Sequence, residues 1–187
     1  MMHPCFFGYG SLVNRATHLY AEASRAQLDG WRRKWVNTEA RGISFLTVVP
    51  DPSSSIDGLI AEVPNADWIA LDEREHGYAR ITSGEAIRHP RDIATQISHY
   101  AVPKETWVQS TENHILMSYL DVVVQGYLRE FGANGVANFF ATTDGWDTPV
   151  LDDRTVPRYP RDQTLSAQES ALVDQHLALR GTPILVI

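Results

Sequence analysis

Two kinds of hydrophobic patterning occur in this chain, and they are segregated along its length. Residues 4–9, Pro-Cys-Phe-Phe-Gly-Tyr, form a short apolar run ended by Gly10-Ser11 and predict a buried strand. Residues 30–36 alternate apolar and basic positions and predict a second strand. A β-branched run over 43–49 predicts a third, stopped by Pro50-Asp51-Pro52 and followed by a turn at Ser53-Ser54-Ser55. Further strands are predicted over 58–63, 78–89 and 95–102, the last two joined by a turn at Pro90-Arg91-Asp92, with a final one over 183–187. Asn14 or Thr17 is placed to open a short helix with Leu19 and Tyr20 on its apolar side.

Helical spacing marks three longer segments. Residues 66–75 read as a helix with Asn65 as N-cap and Gly77 just past the end. Residues 112–130 carry Leu116, Tyr119, Leu120, Val123 and Tyr127 at steps of three and four, and stop at Gly132. In residues 166–179, Ser166 and Glu169 are spaced as a capping box, with Gly181 beyond the end. Strands fill the first part of the chain and helices the rest, which is an α+β order rather than βαβ alternation.

Composition narrows the classes without choosing among them. A chain of 187 residues suits a single domain over 1–187, and about 70% of its unfolded surface should be buried on folding, so no disulfide or metal staple is required. A net charge of −7 disfavours a nucleic-acid or anionic-membrane partner, since both reward clustered Lys and Arg. No run approaches the ~20 apolar residues of a spanning helix. Met1 leads within a few residues into the first strand, so no signal peptide is expected. Cys5 is the only cysteine, which suits a reducing compartment and makes the cytoplasm the expected location. Cys5 itself reads as a small buried apolar residue rather than a nucleophile.

The loop Gly8-Tyr9-Gly10-Ser11 is the first candidate for chemistry. Glycines at a strand end let backbone N–H groups approach an anion closely. Gly8-x-Gly10 with Asp29 meets part of a dinucleotide fingerprint, but Val13 occupies the third glycine position and no βαβ unit follows. The same segment also reads as an ordinary strand-end turn. Glu75 is the second candidate. Trp68, Leu71, Asp72 and Glu75 fall at i, i+3, i+4 and i+7, and the apolar members make that face the inward one. Burial and the helix C-terminus would then raise the carboxyl's pKa toward the range useful in acid/base catalysis. By periodicity alone the stronger reading is a solvated glutamate in a charged run.

Taken together, the two segments resemble the γ-glutamylcyclotransferase superfamily. Phe6-Phe7-Gly8-Tyr9-Gly10-Ser11-Leu12 is similar to its Tyr-Gly-Ser signature. Leu71-Asp72-Glu73-Arg74-Glu75, then Gly77-Tyr78, is similar to the Leu-Asp-x-x-Glu segment that carries its catalytic glutamate. The resemblance covers roughly residues 5–132. It implies an α+β fold with a small closed β-barrel flanked by helices over about 1–132, and leaves about 133–187 as an elaboration packed on it. It also implies release of 5-oxoproline from a small-molecule γ-glutamyl substrate without metal or other cofactor. Glu75 would be the acid/base, and Phe6, Phe7, Gly8, Tyr9, Gly10 and Ser11 the substrate loop. Tyr119 would contact substrate, though it fits equally as a core aromatic. A homodimer is left open.

That chemistry asks for no Ser or Cys nucleophile, because the substrate's own α-amine attacks its γ-carbonyl. Ser11-Leu12 and Leu-Asp-x-Arg-Glu are closer to the glutathione-degrading ChaC type, whereas Tyr78-x-Arg80 resembles the AIG2-like branch, which includes γ-glutamylamine enzymes. The substrate therefore stays open, as does a non-catalytic binding or interaction protein that keeps the fold. Seven histidines lack paired metal-ligand spacing. Arg32, Arg33 and Lys34 read as the solvated face of an alternating strand. Trp146 with Arg154, Arg158 and Arg161 could line a pocket for an anionic substrate or form a surface extension.

Overall fold

A computed structural model describes residues 3–39, 42–83, 86–91 and 95–186. In chain order, strands β1 (His3–Gly8), β2 (Ser24–Asn37) and β3 (Ser44–Glu62) precede a short helix α1 (Ile69–Arg74). Strands β4 (Ala79–Thr82), β5 (Ile87–Arg88), β6 (Thr95–Ala101) and β7 (Ile115–Leu116) follow. Helix α2 (Met117–Ala141), strands β8 (Thr143–Asp144) and β9 (Val150–Asp152), helix α3 (Ala167–Arg180) and β10 (Ile184–Val186) complete the chain. Among the described residues no helix is long and apolar enough to cross a membrane.

The main sheet runs β4-β6-β1-β3-β2-β5, with β8 added alongside β2. β1 lies inside it, antiparallel to β3 and parallel to β6. Successive side chains of a strand point to opposite faces, and both faces of β1 are covered, so Phe6 and Phe7 are both buried. This double burial explains the continuous apolar run. The sheet curls strongly: Trp31 of β2 meets His99 of β6 with ring centroids 4.8 Å apart, although β3 and β1 lie between those strands. The result is a curled half-barrel in the expected α+β class. Among the described residues, no ladder joins the end strands β4 and β5.

His99 lies inside the curl, its Nδ1 against the Ser83 hydroxyl, and burial lowers its pKa to about 4. Between that value and the unfolded value of 6.5, the unfolded chain binds more protons than the folded one, so stability falls as pH drops through this window. His99→Gln is expected to flatten this part of a thermal midpoint-versus-pH curve. An unchanged slope would show that His99 is not a source of acid sensitivity.

Several predicted boundaries move. Strand β3 does not stop at residues 50–52 or turn at 53–55; it continues through them to Glu62. Asp29 pairs with Ser55 and Trp31 with Pro50, so residues 51–54 bulge opposite Gly30. Gly30 has a left-handed φ of 78°. Pro52 lies in that unpaired stretch, where its missing N–H costs no ladder bond. Asp51 orders the bulge by accepting hydrogen bonds from the Ser53 N–H and from both serine hydroxyls, Ser53 and Ser54. The span 78–89 splits because β4 pairs with β6 whereas β5 pairs with β2. Asp92 and Ile187, in predicted turn and strand positions, lie outside the described residues, as does Met1.

The helices are also corrected. α1 begins at Ile69, because Asn65 and Ala66 hold left-handed φ values of 56° and the Asp67 carboxylate accepts from the Ile69 N–H. α2 starts later than predicted, since Ile115 and Leu116 are drawn into pairing with β9. Gly132 does interrupt α2, with φ 68° and ψ −169°, but the helix resumes and brings Phe139 and Phe140 into the core. Residues 14–17 form only a 3-10 turn capped by Asn14, and Leu19 is fully exposed rather than packed. Arg33 is fully buried rather than solvated. The capping box at Ser166 and Glu169 and the left-handed Gly181 are as predicted.

Candidate functional site

After β1 the chain enters a 3-10 turn, Ser11–Val13, and is pinned against α2. The Asn14 amide donates to the Val122 carbonyl at 2.9 Å and to Gln125 Oε1 at 3.0 Å. Glycine is required by close approach at two loop positions. A Cβ on Gly8 would sit 2.5 Å from the Leu12 Cβ, and one on Gly10 would sit 2.6 Å from the Tyr119 hydroxyl. From behind, Arg33 Nε donates to the Tyr9 carbonyl at 3.2 Å, and the Tyr127 hydroxyl donates to the same oxygen at 2.8 Å.

The other wall comes from the end of α1. Leu71 is buried, while Asp72 is exposed, accepting from the Tyr100 hydroxyl at 2.5 Å, so the inward face is narrower than the spacing implies. Glu75 follows the last helical residue with φ −90° and ψ 30°. That departure from helical geometry lets consecutive side chains, Arg74 and Glu75, both turn inward; their side chains are 8% and 16% exposed. Arg74 donates to the Thr17 carbonyl at 2.7 Å, to the Thr17 hydroxyl at 3.0 Å, to Ser11 Oγ at 3.4 Å and to Glu75 Oε1 at 3.3 Å. It therefore clamps the carboxylate to the loop. Burial raises the Glu75 pKa, opposed by the Arg74 charge and hydrogen bond and by Arg161.

Two cavities meet at Glu75. The outer one, about 500 Å³, has the size of a small-molecule site. The inner one, about 30 Å³, is walled by Phe7, Gly8, Tyr9 and Gly10. Ser11, Leu46, Glu75, Tyr78 and Tyr119 border both. Burial foremost pushes the phenols of Tyr9, Tyr78 and Tyr119 far up, so they remain O–H donors at neutral pH. Tyr78 donates to the Leu46 carbonyl at 3.1 Å, and the Ser11 N–H lies against the Tyr119 hydroxyl. A carboxyl that can change protonation, beside backbone and phenolic donors, can move a proton and hold a developing oxyanion.

Of the residues singled out in the sequence, Glu75, Phe7, Gly8, Tyr9, Gly10, Ser11 and Tyr119 come together here. Phe6 lines neither cavity and packs with Leu12, Val63, Leu71 and Tyr100. From the C-terminal group only Arg161 reaches the outer cavity. Trp146 stacks on Phe140, and Arg154 pairs with Asp121 and Asp174, each at 2.8 Å. Sequence spacing gave no sign of Arg74, whose neighbour points the same way only because the helix ends there, or of Tyr159, which reaches the site from a distant loop. Among the described residues no three His, Cys, Asp or Glu side chains cluster as metal ligands.

Residues 5–114 match the sequence model of the family described as ChaC-like protein. The chain belongs to the ChaC-like family. That match contains both motif segments of this ChaC-like protein and ends before α2. Among solved structures, one named gamma-glutamyl cyclotransferase aligns with a TM-score of 0.55 at 13% identity, covering 91% of this chain and 98% of that one. An uncharacterized protein from Homo sapiens gives 0.55 at 14%, covering 91% and 97%. YkqA from Bacillus subtilis gives 0.51 at 17%, covering 76% and 56%. At these identities the likeness shows a shared fold. No match to a curated protein is significant.

Proposed function

We propose that this ChaC-like protein is a γ-glutamylcyclotransferase, releasing 5-oxoproline from a γ-glutamyl amino acid, peptide or amine with Glu75 as general acid/base. The observation that carries this reading is the Glu75 carboxyl, buried at the junction of the two cavities and held to the Gly-Tyr-Gly-Ser loop through Arg74. Family membership and the shared fold support it.

In the proposed reaction, the Glu75 carboxylate takes a proton from the substrate's α-ammonium. The freed amine attacks the γ-carbonyl carbon, forming the new C–N bond of a five-membered ring. The tetrahedral oxyanion is held by loop N–H groups or the Tyr119 hydroxyl. Its collapse breaks the old C–N bond as Glu75 returns the proton to the departing nitrogen; the regenerated carboxylate then takes the second proton from the ring nitrogen and passes it to the released amine, which leaves as an ammonium. Because nucleophile and electrophile share one molecule, the site's main tasks are folding the chain and moving protons from the attacking to the departing nitrogen.

Incubation with γ-glutamyl-alanine, glutathione and γ-glutamyl-lysine should yield 5-oxoproline and an equimolar amine from at least one of them. No product from any would favour a binding or interaction protein that retains the fold.

A further inference from the structure

Helix α2 carries on its first turn a strap that the family match does not include. Asp153 is fully buried. Its carboxylate accepts from the Ser118 N–H at 2.8 Å, the Ser118 hydroxyl at 2.6 Å and the Arg158 N–H at 2.8 Å. Ser118 Oγ in turn accepts from the Tyr159 N–H at 3.2 Å. The Tyr159 ring meets Tyr119 edge-on, with centroids 5.0 Å apart. The Asp162 N–H closes a turn onto the Tyr159 carbonyl at 3.1 Å, and Gln163 donates to the Arg161 carbonyl at 3.3 Å. Tyr159, Pro160 and Arg161 are thus held against the outer cavity by a built framework.

The charges in that cavity are unequally committed. Nε, Nη1 and Nη2 of Arg74 are all engaged with Glu75, Thr17 and Ser11. Other arginines of this acidic chain are paired: Arg32 with Asp144 at 2.6 Å, Arg88 with Asp29 at 2.5 Å and Arg154 with Asp121 at 2.8 Å. Among the described residues, nothing hydrogen-bonds to the Arg161 guanidinium or forms an ion pair with it. Arg161 lines the outer cavity and not the inner one, whereas Glu75 borders both. If the γ-carbonyl sits at Glu75 with the γ-glutamyl half toward the loop, the departing half lies outward, on the side of Arg161.

We propose that Arg161 anchors a carboxylate on the departing half of the substrate, so that the site prefers γ-glutamyl amino acids and peptides over γ-glutamyl amines that lack a carboxylate. This assignment rests on the cyclotransferase reading. The planar guanidinium fork matches a carboxylate with two parallel hydrogen bonds, an orientation a lysine cannot reproduce. The opposing effect of Arg161 on the raised Glu75 pKa agrees with its charge reaching the reacting centre.

The test compares γ-glutamyl-alanine with γ-glutamyl-ethylamide, which differ only by the carboxylate on the departing half. Arg161→Gln should raise KM for γ-glutamyl-alanine roughly 10- to 100-fold with kcat little changed, the size expected for a lost charged hydrogen bond. KM for the ethylamide should change far less than KM for γ-glutamyl-alanine, and Arg161→Lys should fall between wild type and Arg161→Gln. An equal loss on both substrates, or no loss on either, overturns the assignment while wild-type activity upholds the cyclotransferase reading. If only glutathione is turned over, the same comparison is made between glutathione and its C-terminal amide, and an Arg161→Gln loss equal on both overturns the assignment; wild-type protein that forms no 5-oxoproline from any of these substrates overturns both readings. Thermal midpoints of the two variants separate a binding defect from a folding one.

Discussion

Glu75→Gln should lower 5-oxoproline release roughly 10³-fold or more while leaving KM near the wild-type value. The expected loss is large because one carboxyl serves both proton transfers, and glutamine can perform neither. The fold should survive, since Arg74 keeps its bonds to Thr17 and Ser11 when Glu75 is neutralised. Stability should in fact rise at neutral pH. Burial raises the Glu75 pKa above its ordinary value of 4.5, so the folded state holds this proton more tightly than the unfolded chain does. Stability is then highest below the ordinary value and falls as pH rises through the folded pKa. Glutamine escapes that loss, so the variant's thermal midpoint should exceed wild type at pH 7 and match it in acid. Full activity in the variant would reject Glu75 as the acid/base, and an unfolded variant would make Glu75 a structural residue.

Arg33→Met carries the largest expected effect on stability. The Arg33 guanidinium lies between the rings of Tyr127 and Phe139, at 4.9 and 5.2 Å from their centroids. It donates to the carbonyls of Tyr9 at 3.2 Å and Asp57 at 2.5 Å, to the Thr142 hydroxyl at 2.8 Å and to the Tyr127 hydroxyl. Methionine fills much of the space and supplies none of these donors. A loss on the order of 3 kcal/mol follows from stranding several buried acceptors. For a chain of this length that corresponds to a drop of roughly 6–12 °C in Tm. Because the Tyr9 carbonyl belongs to the loop, kcat/KM should fall as well. An unchanged Tm would contradict a supporting role for Arg33.

Both residues show what could be read from the chain and what could not. The glycine loop was legible because close packing leaves no room for a Cβ at Gly8 and Gly10, and that requirement is written in residue type. The α3 boundaries were legible because caps are local: Ser166 and Glu169 satisfy each other's backbone groups within a few residues. Glu75 was legible only through its pairing with the loop motif. Its own helical spacing also pointed Asp72 inward, and Asp72 is exposed.

What was hidden depends on contacts distant in sequence. Arg33 sits in an alternating basic run that reads as solvated, and its burial depends on partners such as Tyr127, Phe139 and Thr142, about a hundred residues away. Strand β3 passes two prolines because the opposing Gly30 opens the ladder, a fact about register rather than about residues 50–52. The 142–161 segment was legible only as a pocket lining or a surface extension, since Asp153 acquires its role only when it caps Ser118. Curling of the sheet similarly emerges from pairings among seven strands, none of which fixes it alone.

Cyclotransfer differs from hydrolysis in that the substrate's own amine, and not water, expels the leaving group. Incubating the protein with a turned-over γ-glutamyl substrate in ¹⁸O-labelled water and weighing the product by mass spectrometry tests this most directly. The expected product is unlabelled 5-oxoproline, equimolar with the released amine. Glutamate carrying ¹⁸O would show hydrolysis and contradict cyclotransfer.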